Sequence, residues 1–351
     1  TFDPQTGKLA FPWLRPHLGK RPPFAPNHGG APWLEPFRVR EDGTRSTEQA
    51  KPGEQGPWSL CPENSPRKFY TIHSITLPIT LKPATSKSAA LVDPIGMIYV
   101  LHEEEAEVRK NPKKQLPLVI RGNVYDCVDI IFKNEIPDDA RTGWSNKINL
   151  HPHFFQFDTS ASDGPTIGFS YDMSLRAFTM LTDPQPTKGM PLPGNTVLTA
   201  DTKAGSRSIT VADASKFHVN IELGVGMDDP KYFEIVRIKT IDGKTITFDA
   251  PLRYGHKKND IASVEFIRER WYVDADLGTV YWHDHVFGTD TWGHGLFSAF
   301  ITEPPRSTYH DPVTGKEIRS GPIADIHTLE PVSAHIRGSF REVMMHIMDS
   351  N

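Results

Sequence analysis

The sequence predicts an all-β protein, and three observations carry that prediction. Short runs rich in β-branched and aromatic residues recur along the chain, separated by Gly, Pro, Asn and Asp. Long amphipathic repeats of helical period are scarce. Proline is abundant, 31 among 351 residues, which suits turns and edge strands and opposes long helices. A chain of this length can bury a real core and hold more than one structural unit. Its 39 basic and 43 acidic residues argue against a nucleic-acid binder, which needs a basic face to neutralise phosphates. No apolar run is long enough to span a bilayer. No leader is visible, and a first residue of Thr1 fits either a processed export signal or a start inside a longer protein.

Residues 1–66 hold twelve of the prolines, in stretches such as RPPFAPNHGGAPWLEP, and cannot build a sheet of their own. Trp13, Phe24, Trp33 and Phe37 predict that this extension packs on a folded body, because disordered chains are poor in aromatics. From residue 67 the text turns strand-like. KFYTIHSITLPIT alternates, GMIYVLHEE reads as a second strand, and LPLVIRGNVYDCVDIIFKNEI reads as two more joined by a turn at Gly122-Asn123. Their Leu, Val and Ile content fits the core strands of a sandwich, with Asp126, Asp129 and Lys133 expected at ends or outward positions. The acidic run Glu103-Glu104-Glu105 is expected in a solvated loop.

Between 196 and 262 the texture changes to a compact set of hairpins, with Asp242-Gly243 supplying a two-residue turn. Strands of the first kind resume at VEFIRERWYVDADLGTVYWHDH. Residues 196–262 therefore read as a small β module inserted into a larger domain spanning 67–305. The module's His218 and His256 have no partner at ligand spacing and are expected on the surface. Residues 306–351 read as a linker followed by FREVMMHIMDSN, the first strand of a further, incomplete domain. Cys61 and Cys127 are the two cysteines. They pair in an exported protein and stay reduced in the cytosol, and the sequence leaves both readings open.

Chemistry concentrates in two histidine pairs, His151 and His153 in NLHPHFFQFD, and His283 and His285 in YWHDHVF. On an extended segment residues i and i+2 project from one face, about 7 Å apart. Each pair can aim two imidazoles into one cavity, and two pairs brought side by side supply four nitrogen ligands. Imidazole suits copper, zinc, nickel and iron, so ligand type alone leaves the metal open. One His-x-His is a weak signal; two of them, each after strand-like text, are a far stronger one.

The surroundings of these pairs resemble known motifs. DLGTVYWHDHVFGTDTWGHGLFSAFITEPP is similar to the second copper motif of multicopper oxidases, and NLHPHFFQFDTSASDGP to the first; RGNVYDCVDIIFKN resembles the strand feeding the first. The likeness covers about residues 67–195 and 263–305. It implies a cupredoxin-like Greek-key β-sandwich, as the N-terminal part of a laccase-like oxidase. His151 would be the type-2 copper ligand, and His153, His283 and His285 would serve the type-3 copper pair. Asp163 occupies the place of an acid that helps deliver protons, though Asp-Gly is also a common turn pair. Two departures stand out. Phe154 replaces the glycine that usually follows the second histidine of the first motif, and Pro152 removes a backbone donor between the two ligands.

A complete oxidase of this family has eight cluster histidines and a cysteine-bound type-1 copper. This sequence carries four of the eight. Neither cysteine is flanked by histidine, and Asp284 stands between the histidines of the second pair, so the type-1 copper is expected outside this chain. The remaining oxidase domains would lie in cis or on another chain. The resemblance implies an extracytoplasmic protein that reduces dioxygen to water while oxidising phenols or metal ions. A copper-sequestering protein without turnover is the alternative, and a hydrolase or dioxygenase with fewer histidine ligands is a third reading.

Overall fold

A computed structural model describes residues 61–62, 64–111, 116–136, 148–157, 175, 195–215, 217, 219, 222–229, 231–264, 266–329 and 338–347. The proline-rich extension to residue 60, Asp163 and His218 lie outside the described residues. The strands are β1 (Arg67–Thr76), β2 (Ile79–Lys82), β3 (Leu91–Asp93), β4 (Met97–Leu101), β5 (Val119–Asn123), β6 (Cys127–Asn134) and β7 (His151–Pro152). They continue with β8 (Asn195–Val197), β9 (Ser208–Thr210), β10 (Glu222–Val225), β11 (Glu234–Asp242), β12 (Thr245–Phe248) and β13 (Ile261–Ser263). The last are β14 (Ile267–Tyr272), β15 (Thr279–His283), β16 (Phe297–Glu303), β17 (Thr308–His310), β18 (Ile323–His327) and β19 (Phe340–Val343). Short helices α1 (Glu105–Lys110) and α2 (Gly288–Thr291) punctuate them. None of the described helices is long and apolar enough to cross a membrane.

Two four-stranded mixed sheets, β14-β6-β1-β4 and β5-β16-β15-β7, share one core. β1 runs parallel to β6 and antiparallel to β4, and β5 runs parallel to β16. The chain passes from the first sheet to the second between β4 and β5, returns at β6 and crosses again to β7. This is the cupredoxin-like sandwich. Alternate residues meet between the sheets, with Ile72, Phe132 and Trp271 on one side and Ile120, Trp282 and Phe300 on the other. Cys61 bridges to Cys127, the first residue of β6, across a Cα separation of 5.8 Å, and so ties the approach to β1 onto the neighbouring strand.

Several expectations are corrected here. β5 and β6 are not a hairpin, because they belong to different sheets. Gly122 lies inside β5 rather than in a turn, and a Cβ there would come within 2.5 Å of the Phe300 ring, so the glycine makes room for a core aromatic. The turn falls at Val124 and Tyr125. Asp126, Asp129 and Lys133 are buried rather than outward. Asp129 is paired with Arg67 and Arg270, and Lys133 donates to Met227 O at 2.6 Å because the inserted module covers that face of β6. Glu105 is likewise buried, on α1, where it accepts from Arg109.

The inserted stretch forms a six-stranded antiparallel sheet, β8-β13-β10-β11-β12-β9, around its own core of residues such as Leu223, Val236, Ile246 and Phe248. Its hairpin loop is Gly243-Lys244, one residue later than predicted, since Asp242 still pairs with Thr245. Gly243 takes φ 56° there, a left-handed backbone that suits glycine. His256 is not a surface residue. It is buried against Glu234, with Nε2 2.8 Å from Oε1, and the missing ligand partner in the sequence was no guide to that ion pair.

Residues 306–351 were expected to be a linker and the first strand of a further, incomplete domain, but β17, β18 and β19 are not isolated strands. They form a three-stranded sheet, β17-β18-β19, in which β19 pairs antiparallel with β18. The strands are short and half exposed, which leaves little apolar periodicity to read.

Candidate metal centre

The site grows from one pairing. β7 lies at the edge of its sheet, where Pro152 costs no ladder bond on the open side, and it pairs antiparallel with β15. His283 stands opposite His151, and Trp282 opposite Pro152. Directly opposed residues share a face, so Trp282 turns into the core while His151 and His283 turn out of it together. The chain then bends after His153, whose backbone N–H still donates to Tyr281 O. Phe154 takes φ 64° and is 78% exposed. That backbone conformation favours glycine, which accounts physically for the glycine usual at this place in the motif, and nothing in the structure explains the phenylalanine here.

All four predicted histidines gather on this face. The His151 ring lies 5.0 Å from His153, 5.2 Å from His283 and 4.2 Å from His285, centroid to centroid. His283 lies 5.0 Å from His153 and 5.4 Å from His285. One nitrogen each of His151, His153 and His283 falls within 4.8 Å of the others, and the Nε2 atoms of His153 and His283 are 2.9 Å apart. Two imidazoles bind one ion across at most about 4 Å, twice a metal–nitrogen bond. The donor set, and the spacing of the His153 and His283 nitrogens, therefore fit a metal that accepts imidazole, copper included.

His283 has a fixed tautomer. Its Nδ1–H donates to Asp284 O at 2.7 Å, which leaves Nε2 as the lone-pair nitrogen aimed at His153. Burial, with the neighbouring imidazoles adding to it, pushes its pKa down to about 3, so the ring is neutral at ordinary pH. Tyr281, Trp292 and Phe297 wall the site. Tyr281 lies 4.6 Å from the His283 ring and Trp292 4.4 Å. Burial raises the Tyr281 hydroxyl to about 12.

Asp284, between the two histidines of the second pair, points away from the rings into the protein. Its carboxylate accepts from Asn149 N (3.0 Å), Val286 N (3.2 Å), Phe287 N (3.1 Å) and Thr291 Oγ1 (2.8 Å). Sequence reasoning missed Asn149, Thr291, Trp292 and Tyr281. Of these, only Tyr281 was within reach of strand alternation, two residues before His283.

A second cluster, His73, Glu105 and Glu135, also brings ligand atoms within 4.8 Å of one another. Here the charges are already matched. Arg109 donates to both carboxylates, at 2.6 and 3.0 Å, and Lys133 sits 2.8 Å from Glu135. Desolvation holds the His73 pKa well below its usual value, and its Nδ1 donates to Glu105 at 2.6 Å.

No protein-family model and no curated protein matches this sequence. Solved multicopper oxidases, proteins of the cupredoxin fold, are similar at low identity. The multi-copper oxidase from Pseudomonas thermotolerans is 11% identical over 70% of this chain and 31% of that one, with a TM-score of 0.28. The multicopper oxidase mgLAC is 11% identical over 69% and 40%, with a TM-score of 0.30. The Gp54 tailspike of the Acinetobacter baumannii bacteriophage AP22, solved with a capsular saccharide, is 21% identical over 22% of this chain and 15% of that one, with a TM-score of 0.18. The chain thus spans 31% and 40% of the two oxidases, and 15% of the tailspike. So slight a likeness carries no functional weight, and the geometry of the imidazoles has to carry it.

Proposed function

We propose that this chain is a copper-binding part of an oxidoreductase of the multicopper oxidase type. His151 serves a type-2 ion, and His153, His283 and His285 serve a type-3 pair. What supports the reading is a single observation: two distant His-x-His segments pair as β7 and β15 and bring four imidazoles to one face. Bound copper would supply one-electron redox chemistry, coupling oxidation of phenols or metal ions to reduction of dioxygen to water. The chain's own contribution is to keep the His283 ring neutral by burial, to fix its tautomer through Asp284 O, and to limit water with Tyr281 and Trp292. Asp163 is assigned to proton delivery. The other cluster ligands and the type-1 copper belong to a further part of the protein. The Cys61–Cys127 bridge supports an extracytoplasmic location.

Metal stoichiometry and oxygen consumption of the full protein test this. About three coppers per cluster, a near-ultraviolet band from bridged copper, and loss of oxygen consumption in His283→Ala with any blue colour kept are the expected results. Retained oxygen consumption in His283→Ala overturns the assignment. Copper bound without turnover would make the protein a copper store, and one zinc or iron per chain would move it to another class.

A further inference from the structure

Two segments separated by more than 130 residues must hold their imidazoles in fixed register, yet β7 contributes only two residues to the pairing. Such a short ladder is a weak clamp. The additional links run through Asn149 and Asp284. Asn149 N–H donates to Asp284 Oδ1 at 3.0 Å, and Asn149 Oδ1 accepts from His285 N–H at 2.8 Å. The two residues thus grip each other's segments reciprocally, one just before the first histidine pair and the other inside the second. Both are fully buried. Thr291 Oγ1 and the N–H groups of Val286 and Phe287 hold the same carboxylate from the side of α2. The main chain of Asp284 is fixed as well, its carbonyl accepting from Trp292 Nε1 at 2.6 Å as well as from His283 Nδ1. Every partner of the carboxylate is a donor. An amide in its place would turn an N–H₂ toward one or more of them and leave a buried donor unmatched.

We infer that Asp284, with Asn149 and Thr291 as its partners, is a positioning residue that locks the two histidine pairs in register before any ion binds. The inference rests on the metal-site reading above and deepens it. Buried polar partners behind metal ligands typically govern affinity by about 10–100-fold, and that is the scale expected here.

The test titrates Cu(II) into the full protein and into Asp284→Asn, Thr291→Val, Thr291→Ser and His283→Ala, with far-ultraviolet circular dichroism as a check on folding. Cu(II) should bind about 10–100-fold more weakly to Asp284→Asn, and more weakly to Thr291→Val, with a broadened copper resonance spectrum. Thr291→Ser, which keeps the hydroxyl, should restore both. Unchanged affinity and spectrum in Asp284→Asn and Thr291→Val, with loss in His283→Ala, would overturn the inference and leave the metal site standing. Absence of Cu(II) binding in the unmutated protein would overturn the metal site instead. In that event long-range proton–nitrogen spectra of the imidazoles still decide the positioning role: His283 should keep its proton on Nδ1 in the unmutated protein and exchange between tautomers in Thr291→Val. An unaltered tautomer there would refute it. Should Asp284→Asn fail to fold, Thr291→Val carries both readouts.

Discussion

Two clusters in this protein place potential ligand atoms within 4.8 Å of one another, and they differ in one respect. At His151, His153 and His283 the close donors are imidazoles, with His285 beside them and no carboxylate in the group. At His73, Glu105 and Glu135 two carboxylates face Arg109 and Lys133, so the negative charge is answered by cations the chain supplies itself. Proximity of donors is thus not what distinguishes a metal site. The first group is built of imidazole nitrogens alone; the second is a closed ionic network of carboxylates and cations.

The comparison breaks if metal binding follows the wrong cluster. His153→Ala should weaken copper binding by at least ~100-fold, more than losing a supporting residue would, whereas Glu105→Gln should leave the copper titration unchanged. Equal losses in the two variants would erase the distinction. Next in size is a stability effect with the opposite assignment. Lys133→Met removes a buried cation that bonds Met227 O and Glu135 and leaves Glu135 to Arg109, which should cost about 1–3 kcal/mol in chemical denaturation while copper affinity is preserved.

The contrast sharpens further at Glu269, a buried carboxyl that accepts from Trp271 Nε1 at 2.8 Å and has no cation paired with it among the described residues. Desolvation raises its pKa to about 8, above the 4.5 of an exposed glutamate. In that window the folded protein holds a proton that the unfolded chain has released, so this group makes stability fall as pH rises from about 4.5 through 8. Glu269→Gln should flatten that part of the stability profile, measured by denaturation at pH 5 and pH 8. An identical slope in the variant would place the proton elsewhere. The smallest effect is expected at Phe154. Replacing it with glycine relieves a left-handed backbone at an exposed position, and should raise stability by about 1 kcal/mol without changing copper affinity.

The histidine pairs were legible because two residues apart on a strand is a face, and a face needs only local sequence. Their meeting was not, since the pairing of His151 with His283 is a tertiary fact across 132 positions. The strands of the sandwich and the separate texture of residues 196–262 were visible for the same local reason. Buried charge misled. Asp129, Lys133, Glu105 and His256 each look like surface residues until the partner arrives from another element. Asn149 carried no signal at all, because its role is set by the backbone N–H of His285, just past β15 and far along the chain.

The inserted sheet begins at β8 and ends at β13, and these two strands are paired, with Asn195 opposite Ser263. Its two junctions with the host therefore stand shoulder to shoulder. A stretch of coding sequence dropped in at such a doorway would leave the host's threading untouched, and the same doorway offers a place to graft an unrelated folded unit, provided the new tenant also shelters Ile131 and the Lys133 ammonium.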